Sequence, residues 1–231
     1  MGVHIYSSWN RRQTDGEPQI EPLRKYFFIC EGANTETFYF RKLIDLRKEL
    51  GIHPLIDLAL LEKTGEDRNL SCAKNLVSFA FRQKEKESFD RERDKMVIVF
   101  DTDIFEEKAQ GYEGLIQTIE KNDLAAVSNP SFELFLLLHL ENSYERCIEG
   151  HEQEFFTKGE HGGYRHAYEM LRALTGMSSK KNPQIGELAS DVKNAIAQEK
   201  RINEDIHHSR GRLTCNVATV IESIMNERPE I

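Results

Sequence analysis

The sequence predicts an α/β protein: a mostly parallel four-stranded sheet flanked by helices, followed by an α-helical C-terminal extension. Three observations predict it. Short, wholly apolar runs alternate with segments of helical periodicity through the first 140 or so residues, the pattern of successive β-α units. Those runs are apolar on both alternating sets of positions, as strands covered on both faces require. Past residue 150 the helical spacing continues, glycines punctuate it, and no convincing strand remains.

In chain order, residues 1–20 are polar, with Gly16, Pro18, Arg11 and Arg12, and read as a flexible N-terminal arm. "KYFFIC" (25–30) is the first strand, and the glycine and asparagine of "EGANTE" turn the chain. "TETFYFRKLIDLRKEL" (35–50) places Phe38, Leu43, Leu46 and Leu50 near one helical face, and Gly51 stops it. "HPLIDLALLE" (53–62) is the second strand, and 69–87 is a helix with an apolar stripe through Leu70, Ala73, Leu76, Val77 and Ala80. "KMVIVF" (95–100) is the third strand, "EGLIQTIEKN" (113–122) a helix and "LAAVS" (124–128) the fourth strand. In "NPSFELFLLLHL" (129–140), Asn129-Pro130 reads as a helix start with proline at the first helical position. The apolar residues behind it fill nearly every face, so that helix should be buried on most sides.

Composition excludes several classes. Hydrophobic residues make up 39% and charged residues 30% of the 231, the balance of a globular protein. No run approaches the roughly 20 apolar residues that span a bilayer, and the first fifteen residues lack the apolar core of a secretory signal; a cytoplasmic protein with no membrane partner is expected. Cys30, Cys72, Cys147 and Cys215 are scattered without a CxxC pair, so they read as reduced thiols. The net charge of −8 means that any grip on nucleic acid must be local: a basic patch, a metal ion or a partner.

The chemistry concentrates in "KMVIVFDTDIF" (95–105), where an apolar strand runs into Asp101 and Asp103. In parallel α/β sheets, ligands collect outside the carboxyl ends of the strands, and residues two apart on a strand share a side. Two close carboxylates repel unless one is protonated or a cation lies between them. A hard cation such as Mg²⁺, which binds carboxylates, water and phosphate oxygens, suits that pair. Glu31 ends the first apolar strand in the same way, and would meet the two aspartates if the first and third strands are neighbours. An aspartate after a strand also serves as an ordinary cap for the next helix, so the combination of the three acids carries more weight than any one.

"FFICEGANTETFYF", "VIVFDTDIF" and "VSNPSFELFLLLHL", in that order, resemble the RloB-like (abortive-infection AbiLii) proteins. "FFTKG" (155–159) and "CNVATVIESI" (215–224) extend the resemblance, so that it spans roughly residues 25 to 224. The chain departs from the usual pattern at Phe135, where tryptophan is common, and at Val217, where proline is common; neither touches the acids. The resemblance implies a Toprim-like catalytic domain over 21–150, with 151–231 as the helical extension. It implies Glu31 as the acid/base glutamate, Asp101 and Asp103 as the metal-binding pair, Mg²⁺ or Mn²⁺ as cofactor, and phosphodiester hydrolysis in bacterial anti-phage defence. The topoisomerases of the wider Toprim group need a separate DNA-gripping domain with a nucleophilic tyrosine, and its primases need a zinc finger; neither fits this chain. A partner ATPase is implied as well.

Other residues admit two readings each. Glu36 is either a second metal ligand or orienting carboxylate, or an early-helix acid placed by the helix dipole. Glu133 fits the dipole of its helix yet lies beside the ligand edge. His139 reads first as a satisfied core histidine and second as a substrate contact. Asn129 is an N-cap or a substrate contact, and Lys158 a phosphate contact or a solvated loop residue. His207, His208, Arg210 and Arg212 form a basic cluster, as do Arg11, Arg12, Arg24 and Lys25; either could track a nucleic-acid backbone or be solvated. The expected function is therefore a divalent-metal-dependent nuclease acting on DNA or RNA, tRNA included. The alternatives are a non-catalytic module that binds nucleic acid or nucleotide, or regulates the ATPase, and a nucleotidyl transferase or phosphatase using the same acids. A homo-oligomer through the helical extension is compatible with all of these.

Overall fold

The computed structural model describes residues 2–7, 22–64, 73–86, 89–102, 111–159 and 165–229. A mixed sheet of six strands runs in the order β1-β3-β2-β4-β5-β6. Its strands are β1 (Gly2–Ser7), β2 (Arg24–Cys30), β3 (Ile56–Thr64), β4 (Lys95–Asp101), β5 (Leu124–Asn129) and β6 (Thr214–Cys215). β3, β2, β4 and β5 are mutually parallel, as the alternating pattern predicts. The outermost strands, β1 on β3 and β6 on β5, are antiparallel.

Those edge strands correct the expected architecture. Residues 2–7, expected within a flexible arm, pair with β3 from Gly2↔Thr64 to Ser7↔Ala59; Arg11, Arg12 and the remainder of that arm lie outside the described residues. The strand is half polar because it is an edge, and its ladder is completed by a segment over fifty residues away in sequence. β6 is two residues long, too short to register as an apolar run, and its partner is the end of β5.

Strand alternation sorts the apolar residues into two layers. Tyr26, Phe28, Cys30, Leu58, Leu60, Val97, Val99 and Ala126 face one side, beneath α1 (Thr35–Asp45), α4 (Phe132–Leu137) and the C-terminal helices. Phe27, Ile29, Ala59, Leu61, Met96, Ile98, Phe100 and Val127 face the other, beneath α2 (Ala73–Gln83) and α3 (Tyr112–Glu120). Continuous apolar strands are thus the signature of a sheet covered twice. The α4 residues are all buried, matching their unbroken apolar character. The helix begins later than its sequence suggests, because β5 continues through Asn129, which pairs with Thr214; Asn129-Pro130 is a cis peptide ahead of the helix.

The C-terminal part closes the same core. α5 (His166–Thr175), the 3-10 helix Pro183–Asp191, α6 (Val192–Glu199) and α7 (Val217–Asn226) contribute Leu171, Ile185, Ala195, Val217 and Ile221 to the first layer. Asn216 clamps the join, its side chain accepting from Val127 N at 2.7 Å and donating to Ala125 O at 2.9 Å. Cys30, Cys147 and Cys215 are buried free thiols; Cys72 is outside the described residues. No described helix is long and apolar enough to cross a membrane.

Candidate active site at the β2–β4 switch point

β2 lies between β3 and β4, so the chain leaves β2 toward one side of the sheet and returns at β4 on the other. The helix after β2 covers one face and the helix after β4 covers the opposite face. The carboxyl ends of β2 and β4 are therefore a topological switch point, the usual ligand position in such sheets.

Glu31 follows β2 and Asp101 ends β4 at that point. Strands β2 and β4 are hydrogen-bonded neighbours in the register Cys30↔Val99, and the Glu31 amide continues the ladder to Val99 O at 3.0 Å. The Glu31 carboxylate accepts from the Asp101 amide at 3.4 Å. The Glu31 carboxylate thus reaches the Asp101 backbone across a separation of 70 residues. Asp103 lies outside the described residues. By contrast, the acids at the opposite edge are structural: Asp94 accepts from Lys25 N at 2.8 Å and Asp123 from Met96 N at 2.9 Å.

Glu36 and Glu133 form a second pair of acids, close enough to influence one another. Both are nearly buried. Glu36, in the first turn of α1, accepts from the Gly32 amide at 3.1 Å. Burial raises its pKa and the nearby Glu133 adds to that, while its own amide, the Gly32 amide and Lys63 oppose the rise. Glu133 accepts from the buried Ser179 hydroxyl at 2.9 Å. The absence of a side chain at Gly32 is required here: a Cβ would lie 2.0 Å from Glu36 Oε2.

Lys63 is the cation of this region, and sequence reasoning passed over it. It sits near the carboxyl end of β3 and donates to the Glu31 carbonyl at 2.6 Å. Burial lowers its pKa, and Cys30, Glu31 and Glu36 hold it up. The sequence marks it only as a lysine near the end of an apolar strand. It also lines a cavity of about 280 Å³ with Gly32, Thr37 and Arg41; Arg41 is engaged by Glu62 through two hydrogen bonds.

The remaining expected residues fall elsewhere. His139 is enclosed in the core: its Nε2 meets the Tyr39 hydroxyl at 2.9 Å and its Nδ1 the Phe135 carbonyl at 3.0 Å. Burial lowers its pKa to about 4, which keeps the enclosed ring neutral near pH 7. Asn129 is fully buried and donates to Ser209 O at 2.8 Å and Arg212 O at 3.0 Å. It anchors the basic loop rather than capping a helix. Lys158 is exposed beyond the 3-10 turn Glu152–Phe156.

Hard oxygen donors on adjacent strand ends match the chemistry of Mg²⁺ or Mn²⁺. Glu31 and Asp101 supply two carboxylates; among the described residues no set of three acidic, histidine or cysteine side chains is already gathered for a metal. The family model for RloB-like proteins matches residues 26–224. The chain belongs to the RloB-like family. The match runs from β2 through most of α7, so it includes both acids, Lys63 and the C-terminal helices that complete the core. No curated protein and no solved structure matches this RloB-like chain.

Proposed function

We propose that this RloB-like protein is a divalent-metal-dependent nuclease of the Toprim type, hydrolysing phosphodiester bonds of DNA or RNA, tRNA included, in bacterial anti-phage defence. One observation carries the reading: at the switch point of the parallel sheet the Glu31 carboxylate accepts from the Asp101 amide, each acid standing at the end of an apolar strand. The resemblance assigns Asp103 to the same group. Glu31, Asp101 and Asp103 would hold Mg²⁺ or Mn²⁺. Such an ion polarises the scissile phosphoryl group, provides an activated water and stabilises the leaving oxygen.

The chain's own groups have distinct tasks in this reading. Glu31 takes a proton from the attacking water, within reach of the metal-binding edge. Lys63, bonded to the Glu31 carbonyl, offsets negative charge where the acids meet a phosphodiester. Glu36 and Glu133 are orienting carboxylates behind the front pair: the first is fixed by Gly32 and the second by Ser179. The acidic balance of the whole chain favours a protein partner for recruitment, and an ATPase of the same defence system fills that role.

The test is a cleavage panel of plasmid DNA, single-stranded DNA, total RNA and tRNA with Mg²⁺, Mn²⁺ or EDTA, using wild-type, Glu31→Gln and Asp101→Asn proteins. Metal-dependent cutting lost in both variants is the expected result. Absence of cutting with every substrate, with the partner ATPase and ATP supplied, would favour the non-catalytic binding module.

A further inference from the structure

The loop 203–213 is built more firmly than a solvated connection needs to be. Asn203 donates through its amide to Asp205 O, His208 O and Thr214 Oγ1. Tyr112 donates to Ile206 O at 2.8 Å. His207 is clamped between Glu113 and Glu120, at 3.0 and 3.1 Å. Asn129 grips Ser209 and Arg212 from the end of β5. Its neighbour Ser128 is the register partner of Asp101, so the loop is held one strand away from Asp101.

This scaffold exposes Arg210 and Arg212 on an otherwise acidic protein. Arg212 lines a cavity of about 300 Å³ with Tyr144, Gln153, Phe156, Arg201 and Asn203. Arg201 is committed, stacked on the Tyr144 ring at 4.2 Å and paired with Glu145 and Glu149. Arg212 has no ion-pair partner among the described residues. Glu152 is also on the wall, which leaves the Arg212 side as the place for an anion. The cavity thus joins "FFTKG" and "HHSRGR", two stretches that the catalytic reading leaves unused.

We propose that this cavity holds one unpaired nucleotide of the substrate strand, with Arg212 on its phosphate. The proposal rests on the nuclease reading for the presence of a nucleic-acid substrate, and it narrows the class to single-stranded segments. Aromatic rings, amide side chains and an arginine are the groups that receive a splayed-out base and its phosphate. At about 300 Å³ the cavity is of a size for a single small ligand, and a base held inside a duplex could not enter it.

The test measures binding separately from cutting. Fluorescence anisotropy is recorded with a labelled single-stranded oligonucleotide and with its duplex, in Mg²⁺, using full-length Glu31→Gln protein. We expect the single strand to bind more tightly than the duplex. Adding Arg212→Glu should weaken single-strand binding about tenfold or more. Arg212→Ala should reduce the slope of log K against log salt by about 0.7, the contribution of one phosphate contact on a single strand. Gln153→Trp, an exposed position that fills the cavity, should give a comparable loss of affinity with an unchanged melting temperature. Equal affinity in these variants, equal binding of duplex, or no binding to either form overturns the proposal. Cutting by the wild-type protein that is indifferent to Arg212 and Gln153 sinks the cavity and leaves the nuclease standing. Binding through Arg212 without any cutting does the reverse.

Discussion

Gly32 and Glu36 occupy each other's space: the Glu36 carboxylate accepts from the Gly32 amide at 3.1 Å and lies 2.0 Å from where a Gly32 Cβ would be. The obstructing atom is the end of a side chain, so Gly32→Ala should displace Glu36 rather than unfold the protein. The expected outcome is a change in stability of about 1 kcal/mol or less. Cleavage should fall by about tenfold or more if Glu36 orients the front acids. Melting temperature and initial rate, measured side by side, check both halves.

Gly186 makes the opposite case. A Cβ there would lie 2.4 Å from the Phe38 carbonyl oxygen, where the 3-10 helix Pro183–Asp191 passes against α1. Backbone cannot swing aside, so Gly186→Ala should destabilise by about 1–3 kcal/mol. Denaturant unfolding gives the value; an unchanged midpoint would show that the two helices are not held this close.

His139 predicts a pH dependence. Its pKa falls from 6.5 to about 4 through burial, so between these values the unfolded chain binds more protons than the folded one. Its contribution is fully present above about pH 6.5 and is lost as pH falls toward 4, by about 3 kcal/mol in all. His139→Gln should flatten the acid limb of the stability curve between those limits. Tyr39→Phe, which removes the hydroxyl at Nε2, should cost about 1–3 kcal/mol at neutral pH.

Glu199 joins the C-terminal helices to one another. It is fully buried, and its carboxylate accepts from Ala218 N at 2.9 Å and Thr219 N at 2.7 Å, at the start of α7. Glu199→Ala would leave both amides without that acceptor. We expect a loss of about 1–3 kcal/mol or more in urea unfolding, with faster hydrogen exchange at those two amides.

The four parallel strands were legible because each is an unbroken apolar run, and the ends of two of them carry Glu31 and Asp101. β1 and β6 were not, since "GVHIYS" and "TC" acquire meaning only from partners remote in sequence. Lys63 carries no such mark: it lies within β3, which pairs with β2 on the side away from β4, and a lone lysine near a strand end reads as solvated. His139 and Asn129 are polar residues in apolar surroundings, and sequence alone does not distinguish a ligand contact from an internal tie. Only the observed hydrogen bonds to Tyr39, Ser209 and Arg212 decide.

The 70-residue gap between Glu31 and Asp101 has a bearing on synthesis. A growing polypeptide that has not yet reached Lys95 carries the glutamate with no aspartate to face it. The C-terminal helices must also arrive before the first layer is sealed. The edge that carries both acids would therefore rest on a sealed core only after Val217–Asn226 has been made.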